Sequence, residues 1–237
     1  MKPQRVIRSM ASQGPNVSRM ISKIEVFADI EQGSAEWSAL RLGIPTASRF
    51  AAICATGRDG TVAGSLTRSK LMRVLAGEIL TGETAETFRN DAMDRGNSME
   101  AEARDYYART RFAELTRVGF IRRLLPSGRF VGCSPDSLIG RRNLRTALEI
   151  KTMRPDLIIE MGDKGTFPPE HRAQIQGMMW VACLEEVDLM IFYRGMPYAP
   201  TFTVRRDESY LKDLYESVEI FDWELHKLVE RERAKKQ

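Results

Sequence analysis

The first half of the chain carries apolar residues at the three- and four-residue spacing of amphipathic helices. Ser34 and Thr46 are residue types that cap helices, and Gly43 and Gly82 are typical of helix ends. The polar N-terminal region shows no such period. The pattern predicts a flexible basic arm over residues 1–25, and helices over 34–43, 46–55, 65–82 and about 99–111, the last one capped by Asn97 or Ser98.

In the second half, short runs rich in β-branched and aromatic residues favour strands. These runs lie at 117–125, 129–136, 146–153, 187–194 and 201–206. A helical pattern over 168–184 separates the third run from the fourth, and a long charged helix over about 208–233 ends the chain. This order predicts a single α/β domain over residues 26–237, with a central mixed sheet flanked by helices.

The composition is that of an ordinary globular protein, since 43% of the 237 residues are hydrophobic and 29% are charged. No apolar run approaches the ~20 residues that span a bilayer, and the N-terminus lacks the apolar core of a signal peptide. The cysteines Cys54, Cys133 and Cys183 are widely spaced and odd in number. They show no disulfide or zinc pattern, so we expect reduced thiols in a cytoplasmic protein.

A net charge of +4 permits a nucleic-acid partner without requiring one. The basic residues concentrate at the two ends of the chain. Residues 1–23 carry five Lys or Arg side chains and no acid, and the last eleven residues, KLVERERAKKQ, are also net basic. These ends are either solvated tails or additional contacts to phosphate groups.

Two predicted neighbouring strands carry polar groups that can converge on one point. Side chains alternate along a strand, so Glu149 and Lys151 share one face, while Leu148 and Ile150 share the other. A turn between the strands places Asp136 beside them, at the end of an antiparallel strand. One interpretation is a hairpin with a solvated charged face. The other is a Mg²⁺ or Mn²⁺ site of a nuclease, since two carboxylates suit a hard cation and a lysine can orient or deprotonate a water.

A third carboxylate, Glu100, lies at the edge of an apolar helical stripe that contains Met99, Ala103, Tyr106 and Tyr107. Either it forms an i,i+4 ion pair with Arg104, or it is a further metal ligand presented by a helix beside the sheet.

Pro135-Asp136 followed by Glu149-Ile150-Lys151 matches the PD-(D/E)xK nuclease motif. Three further stretches resemble the lambda-type phage exonucleases, the YqaJ-like viral recombinase family, in the same order. They are 32-QGSAEWSALRLGIPTAS-48, 133-CSPDSLI-139 and 173-AQIQGMMWV-181. The resemblance covers roughly residues 32–181, with a poor match over 56–94. It implies a PD-(D/E)xK nuclease-like fold, a central mixed sheet flanked by helices.

The resemblance also implies roles for individual residues. The metal would be bound by Asp136, Glu149, the Ile150 carbonyl and Glu100. The expected metal is Mg²⁺ or Mn²⁺, with two ions in the site. Lys151 would position the attacking water. Gln174 would support the active site, although a polar helix residue without a role is the alternative.

Three more residues match those that bind the 5′-terminal phosphate in the family, namely Arg41, Ser48 and Ser134. An arginine fork and two hydroxyl donors suit a dianionic end. Without the family, Arg41 is a cation near a helix end and Ser48 is an ordinary surface residue.

The sequence departs from the family pattern at several places. Ser137 replaces the usual glycine, and no acidic residue lies in the strand over 117–125, where Arg122 and Arg123 are found. The turn 140-GRRNLRT-146 is unusually basic. Its arginines, Arg141, Arg142 and Arg145, either contact phosphates or keep the hairpin tip soluble.

The expected function is a Mg²⁺-dependent 5′→3′ double-strand DNA exonuclease of phage recombination type, which leaves a 3′ overhang. The resemblance further implies a homotrimer that acts on double-stranded DNA ends with a single-strand annealing protein, and no membrane partner. Two alternatives stay open: an endonuclease or structure-specific nuclease on the same core, and a non-catalytic DNA-binding module.

Overall fold

A computed structural model of the protein describes residues 23–85, 91–140 and 144–235. The predicted arm therefore lies outside the described residues except at its end, where residues 24 and 25 belong to a strand. The strands are β1 (Ile24–Phe27), β2 (Leu115–Thr116), β3 (Phe120–Leu124), β4 (Phe130–Cys133), β5 (Ser137–Ile139), β6 (Thr146–Thr152), β7 (Glu186–Phe192) and β8 (Thr201–Arg205). The helices are α1 (Ala35–Arg41), α2 (Phe50–Cys54), α3 (Leu66–Thr81), α4 (Asp91–Arg111), α5 (Pro155–Lys164), α6 (Arg172–Ala182) and α7 (Glu208–Ala234).

The larger sheet of the described residues has the strand order β2-β5-β6-β7-β8. Its central strand β6 pairs antiparallel with β5 on one side and parallel with β7 on the other. The parallel pair is joined by α5 and α6, which form the crossover that parallel strands require. The predicted α/β fold with a mixed sheet flanked by helices is therefore confirmed.

The β3–β4 hairpin belongs to a second sheet, of order β1-β3-β4. The prediction that a strand over 129–136 lies beside β6 is wrong, because β4 ends at Cys133 and the neighbour of β6 is β5. Pro135 explains the break, since proline has no N–H to donate to a ladder. Asp136 consequently lies in the bend that carries the chain from one sheet to the other.

Several predicted helix boundaries shift. Ser34 caps α1, as its residue type indicated, and Ser65, for which no cap was predicted, caps α3. Thr46 forms no cap hydrogen bond, and a 3₁₀ turn over Ala47–Arg49 precedes α2. Helix α4 begins at Asp91 rather than after Ser98. Gly96 and Asn97 are poor helix formers and favoured a later start, but propensity is a weak determinant that tertiary context overrides.

The two faces of the larger sheet are covered by different helices. Ala147, Leu189 and Ile191 point into the main core, to which α6 contributes buried residues such as Ile175 and Met179. The alternate residues of β6 and β7 point the opposite way and pack against α4, in a smaller cluster formed by Leu148, Ile150, Met190, Phe192, Met99, Ala103 and Tyr107. No helix of the described residues is long and apolar enough to cross a membrane.

Candidate active site

The candidate site lies where β5 stops and β6 continues. The β5–β6 ladder ends at the pair Ser137–Leu148, yet β6 runs on to Thr152. The unpaired edge of β6 is filled by a side chain, because the Ile150 N–H donates to Asp136 Oδ2 at 2.6 Å. The N–H and C=O of one strand residue point to the same side. The Ile150 carbonyl therefore also faces the notch beside Asp136.

Glu149 and Lys151 share the face of β6 that α6 covers. Lys151 Nζ donates to Glu149 Oε1 at 2.8 Å, and Gln174 Nε2 on α6 donates to the same oxygen. The Glu149 residue is only 3% exposed. The predicted alternation is thus observed, and the structure brings Asp136, Glu149, Lys151 and Gln174 together around one strand.

The notch concentrates negative charge in a poorly hydrated place. Burial raises the pKa of Asp136 well above its usual range, and the charges of Glu149 and Glu100 raise it further. Burial acts to lower the pKa of Lys151, but Glu149, Asp136 and Glu100 outweigh burial and leave that pKa raised. Lys151 is therefore a cation at neutral pH, held by the surrounding carboxylates.

Glu100 of α4 is close enough to act on the pKa of Asp136 and of Lys151, but its carboxylate pairs with Arg104 one turn along the helix. The ion pair with Arg104 that the sequence suggested is therefore observed, and the role of Glu100 as a metal ligand stays a prediction. Within residues 23–85, 91–140 and 144–235, no three His, Cys, Asp or Glu side chains are grouped so as to hold a metal ion by themselves.

The donor set nevertheless fits a hard divalent cation. Glu149 Oε2 is buried and has no hydrogen-bond partner, and an unpaired buried carboxylate oxygen is costly. A cation between Asp136, Glu149 and the Ile150 carbonyl would be coordinated by oxygen atoms, the ligands that Mg²⁺ prefers.

Two residues to which the sequence analysis assigned no role in the site, Gln32 and Ser137, hold the Asp136 bend in place. Gln32 Nε2 donates to the Pro135 carbonyl at 2.9 Å and to the Val118 carbonyl at 2.8 Å. Ser137 is fully buried and its hydroxyl donates to the Asp136 carbonyl at 2.7 Å. Ser137 is not among the described residues with positive φ, so the bend does not require glycine there. Gln32 is the first residue of the first stretch that resembles the family, and this resemblance was the sequence signal that Gln32 belongs to the site.

Arg41 and Ser134 meet at a second point, two residues before Asp136. Arg41 Nη1 donates to Ser134 Oγ at 3.2 Å, and Trp37 Nε1 donates to the same hydroxyl at 3.0 Å. The Arg41 guanidinium lies 3.9 Å from the centroid of the Trp37 ring. Burial lowers the pKa of Arg41 to about 10, with a smaller contribution from Arg49, so the guanidinium stays charged at neutral pH.

Ser48, the third predicted phosphate ligand, is exposed, and its hydroxyl lies 3.2 Å from that of Thr46. Thr46 and Arg41 line a common cavity of about 740 Å³, which also reaches Glu100 and Arg104. Arg41, one of the phosphate candidates, and Glu100, the carboxylate of α4, therefore border the same cavity.

The other basic candidates have structural partners or cannot be placed. Arg145 pairs with Glu185. Arg141 and Arg142 lie outside the described residues. In β3, Arg122 bonds Glu25 of β1 and Arg123 bonds the Val181 carbonyl, so this strand presents paired cations where an acid was sought.

His171, just before α6, is a residue that the sequence did not indicate. Its Nε2 is buried without a partner. Burial lowers its pKa, and the charge of Lys151 lowers it further, which places the imidazole near the notch.

Comparisons with known proteins find one family model and several solved structures that this chain resembles. The family model of the YqaJ-like viral recombinase domain matches residues 36–185. The solved structure of an alkaline exonuclease (LHK-Exo) from Laribacter hongkongensis has a TM-score of 0.74 and 28% identity, over 85% of this chain and 97% of that chain. The same exonuclease in complex with dAMP has a TM-score of 0.73 and 28% identity, over 86% of this chain and 100% of that chain.

A phage related exonuclease from Haemophilus somnus 129PT shares the fold, with a TM-score of 0.56 and 18% identity over 79% of this chain and 96% of that chain. A search of curated proteins finds no match.

Proposed function

The chain belongs to the YqaJ-like viral recombinase family, and on that premise we propose that it is a Mg²⁺-dependent exonuclease. It degrades one strand of duplex DNA from a 5′-phosphorylated end and leaves a 3′ overhang. The observation that carries the proposal is the convergence of Asp136, Glu149 and Lys151 on the unpaired edge of β6. Similarity to an alkaline exonuclease over nearly its whole length supports nuclease chemistry.

The proposed reaction is hydrolysis of a phosphodiester. The oxygen of a water molecule forms a bond to phosphorus, and the bond from phosphorus to the 3′ oxygen breaks. The water loses a proton and the 3′ oxygen gains one, so the products are a 5′-mononucleotide and a strand that again begins with a 5′-phosphate. A relative whose structure holds dAMP is consistent with a mononucleotide product.

Each residue of the notch has a role in this chemistry. Asp136, Glu149 and the Ile150 carbonyl would hold the divalent cations, of which we propose two, with Glu100 at the edge of the site. When bound, Mg²⁺ would supply activation of water and neutralise charge on the scissile phosphate. The Lys151 ammonium orients the water and Gln174 fixes the Glu149 carboxylate.

The terminal phosphate is proposed to bind at Arg41, Ser134 and Ser48. Arg41 is held in place by the Trp37 ring and by Ser134, so its fork is ordered before DNA arrives. Preorganisation of this kind reduces the entropy lost on binding. Because Ser134 and Asp136 lie in the same bend, an end held by the first would place a neighbouring phosphodiester near the second.

The expected assembly is a homotrimer around DNA that works with a single-strand annealing protein. Light scattering of the purified protein tests the trimer, and a mass of one or two chains would contradict it.

The function is tested with blunt linear duplex that carries a separate label on each strand end, in Mg²⁺ and in EDTA. We expect mononucleotides released from 5′-phosphorylated ends, a growing 3′ overhang and no activity in EDTA. Cleavage of covalently closed circular DNA would instead indicate an endonuclease, and failure to cleave any DNA in Mg²⁺ or Mn²⁺ would leave only the DNA-binding alternative.

A further inference from the structure

The cavity beside Arg41 contains a second arginine that neither the sequence motifs nor the proposed function uses. Arg49 ends the 3₁₀ turn that follows Thr46, and its side chain is 30% exposed. Arg41, Thr46 and Arg49 all line the same cavity of about 740 Å³. The charge of Arg49 acts on Arg41, since it contributes to the lowered pKa of that residue.

The carboxylate next to Arg49 belongs to Glu78 and already accepts another hydrogen bond. Glu78 of α3 is 4% exposed, and its Oε2 accepts from the Gly43 N–H at 2.8 Å. Gly43 has φ +66° and lies two residues after Arg41, so Glu78 stabilises the turn that ends this segment. Arg49 Nη2 lies 3.9 Å from Glu78 Oε1, which is longer than a hydrogen bond.

Two guanidinium groups therefore line one cavity together with the Thr46 hydroxyl, and the buried Glu78 carboxylate beside Arg49 already accepts a hydrogen bond from Gly43. Placing like charges together is unfavourable unless an anion joins them. A phosphate monoester carries about −1.5 to −2 charges at neutral pH, whereas an internal phosphodiester carries one. A second cation thus favours a terminal phosphate over the internal phosphates of the strand.

We propose that Arg49 is the second cation of the terminal-phosphate pocket, and that it sets the preference for a 5′-phosphate over a 5′-hydroxyl end. The proposal rests on the proposed function and deepens it. Glu78 acts as a positioning residue, which holds the Gly43 turn through its hydrogen bond and keeps Arg49 directed at the cavity by charge.

A simpler role for Arg49 is to neutralise buried Glu78. The two roles differ in what Glu78→Gln does to an Arg49→Ala variant. If Arg49 only neutralises Glu78, removing both charges restores the behaviour of the wild type. If Arg49 binds phosphate, the double variant regains stability but not the preference for phosphate.

Binding is measured by fluorescence anisotropy with duplexes that end in 5′-phosphate or 5′-hydroxyl, with Ca²⁺ in place of Mg²⁺ to prevent hydrolysis. The wild type should bind the phosphorylated end more tightly. Losing one charge-assisted contact typically costs about ten-fold or more in affinity, so Arg49→Ala should reduce the preference by about ten-fold, and Arg49→Lys by less. Arg117→Ala is the matched control, because Arg117 is an exposed arginine of the same cavity and should weaken both ends alike.

The assignment is overturned if Arg49→Ala keeps the preference for the 5′-phosphate end, or if the double variant with Glu78→Gln regains it. It is also overturned if Arg117→Ala loses as much of the preference as Arg49→Ala does. A wild type that binds both ends equally overturns it together with the pocket. A separate assay of hydrolysis in Mg²⁺ keeps the two proposals apart. If no DNA is cleaved but Arg49→Ala still loses the binding preference, the nuclease function fails and the role of Arg49 stands.

Discussion

The ion pair between Lys151 and Glu149 should stabilise the metal-free protein. When a metal cation is bound, its charge should compensate Glu149 instead, so the ion pair should contribute less to stability. The side chain of Glu149 is 4% exposed and that of Lys151 is 27% exposed. Lys151→Met keeps the aliphatic stem and removes the charge, which leaves Gln174 as the remaining donor to Glu149 Oε1. Glu149 Oε2 already lacks a partner.

The expected loss follows from this burial. Breaking a buried ion pair by removing one partner costs ~3–5 kcal/mol, but a partly exposed lysine is screened by water, so we expect about 2 kcal/mol. For a chain of this size that loss lowers Tm by roughly 4–8 °C. Thermal unfolding in EDTA, followed by circular dichroism, measures it. In saturating Mn²⁺ the difference between variant and wild type should shrink, because the cation supplies the missing charge to Glu149.

Hydrolysis should behave differently from stability. Without its ammonium group the variant should lose at least ~10²-fold in rate, the contribution of a positioned proton-transfer group, and Mn²⁺ should not restore it. A double variant with Glu149→Gln should be less destabilised in EDTA than the sum of the single changes. Unchanged Tm in EDTA would refute the argument about the pair. A folded variant with more than about a tenth of the wild-type rate would show that Lys151 is not the catalytic lysine.

Three further changes test the rest of the site and the fold. Asp136→Asn should weaken Mn²⁺ binding in a calorimetric titration, because it removes a carboxylate charge from a hard-cation site; unchanged affinity with lost activity would assign Asp136 another role. Arg41→Ala should reduce the rate preference for 5′-phosphate over 5′-hydroxyl ends by roughly 10- to 150-fold, whereas equal slowing on both ends would indicate damage to packing. Gly132→Ala should lower the free energy of unfolding by about 1–3 kcal/mol in a denaturant titration, because an added Cβ would lie 2.1 Å from Cζ of buried Phe120; an unchanged midpoint would show that the ring moves aside freely.

Local alternation was sufficient to predict the central feature of the site. Because strand side chains alternate, the letters Leu-Glu-Ile-Lys already place Glu149 with Lys151 and Leu148 with Ile150, and the structure shows these two faces. The residue type of Ser34 likewise predicted a cap that forms. Such features depend on neighbours within a few residues, which the sequence displays directly.

The resemblance of short stretches to one family was also correct at the level of the family. It brought Gln174 and Ser134 into consideration, although they lie far along the chain from their partners. In the structure Gln174 donates a hydrogen bond to Glu149, and Ser134 accepts one from Arg41. The roles assigned to these residues stay predictions, which the variants above test.

Tertiary structure alone decided where the strands go and which charges meet. Pro135 is a local signal for the break after β4, but the sequence does not show that β4 joins a different sheet from β6, or that β5 leaves Ile150 to bond Asp136. Nor does it show that Glu78 of α3 reaches the Gly43 turn and lies near Arg49. These contacts join residues that lie 14 to 35 positions apart in the chain, and their formation depends on how sheets and helices pack. Periodicity determines which face of an element is apolar, whereas packing determines which element covers that face and which polar groups it traps.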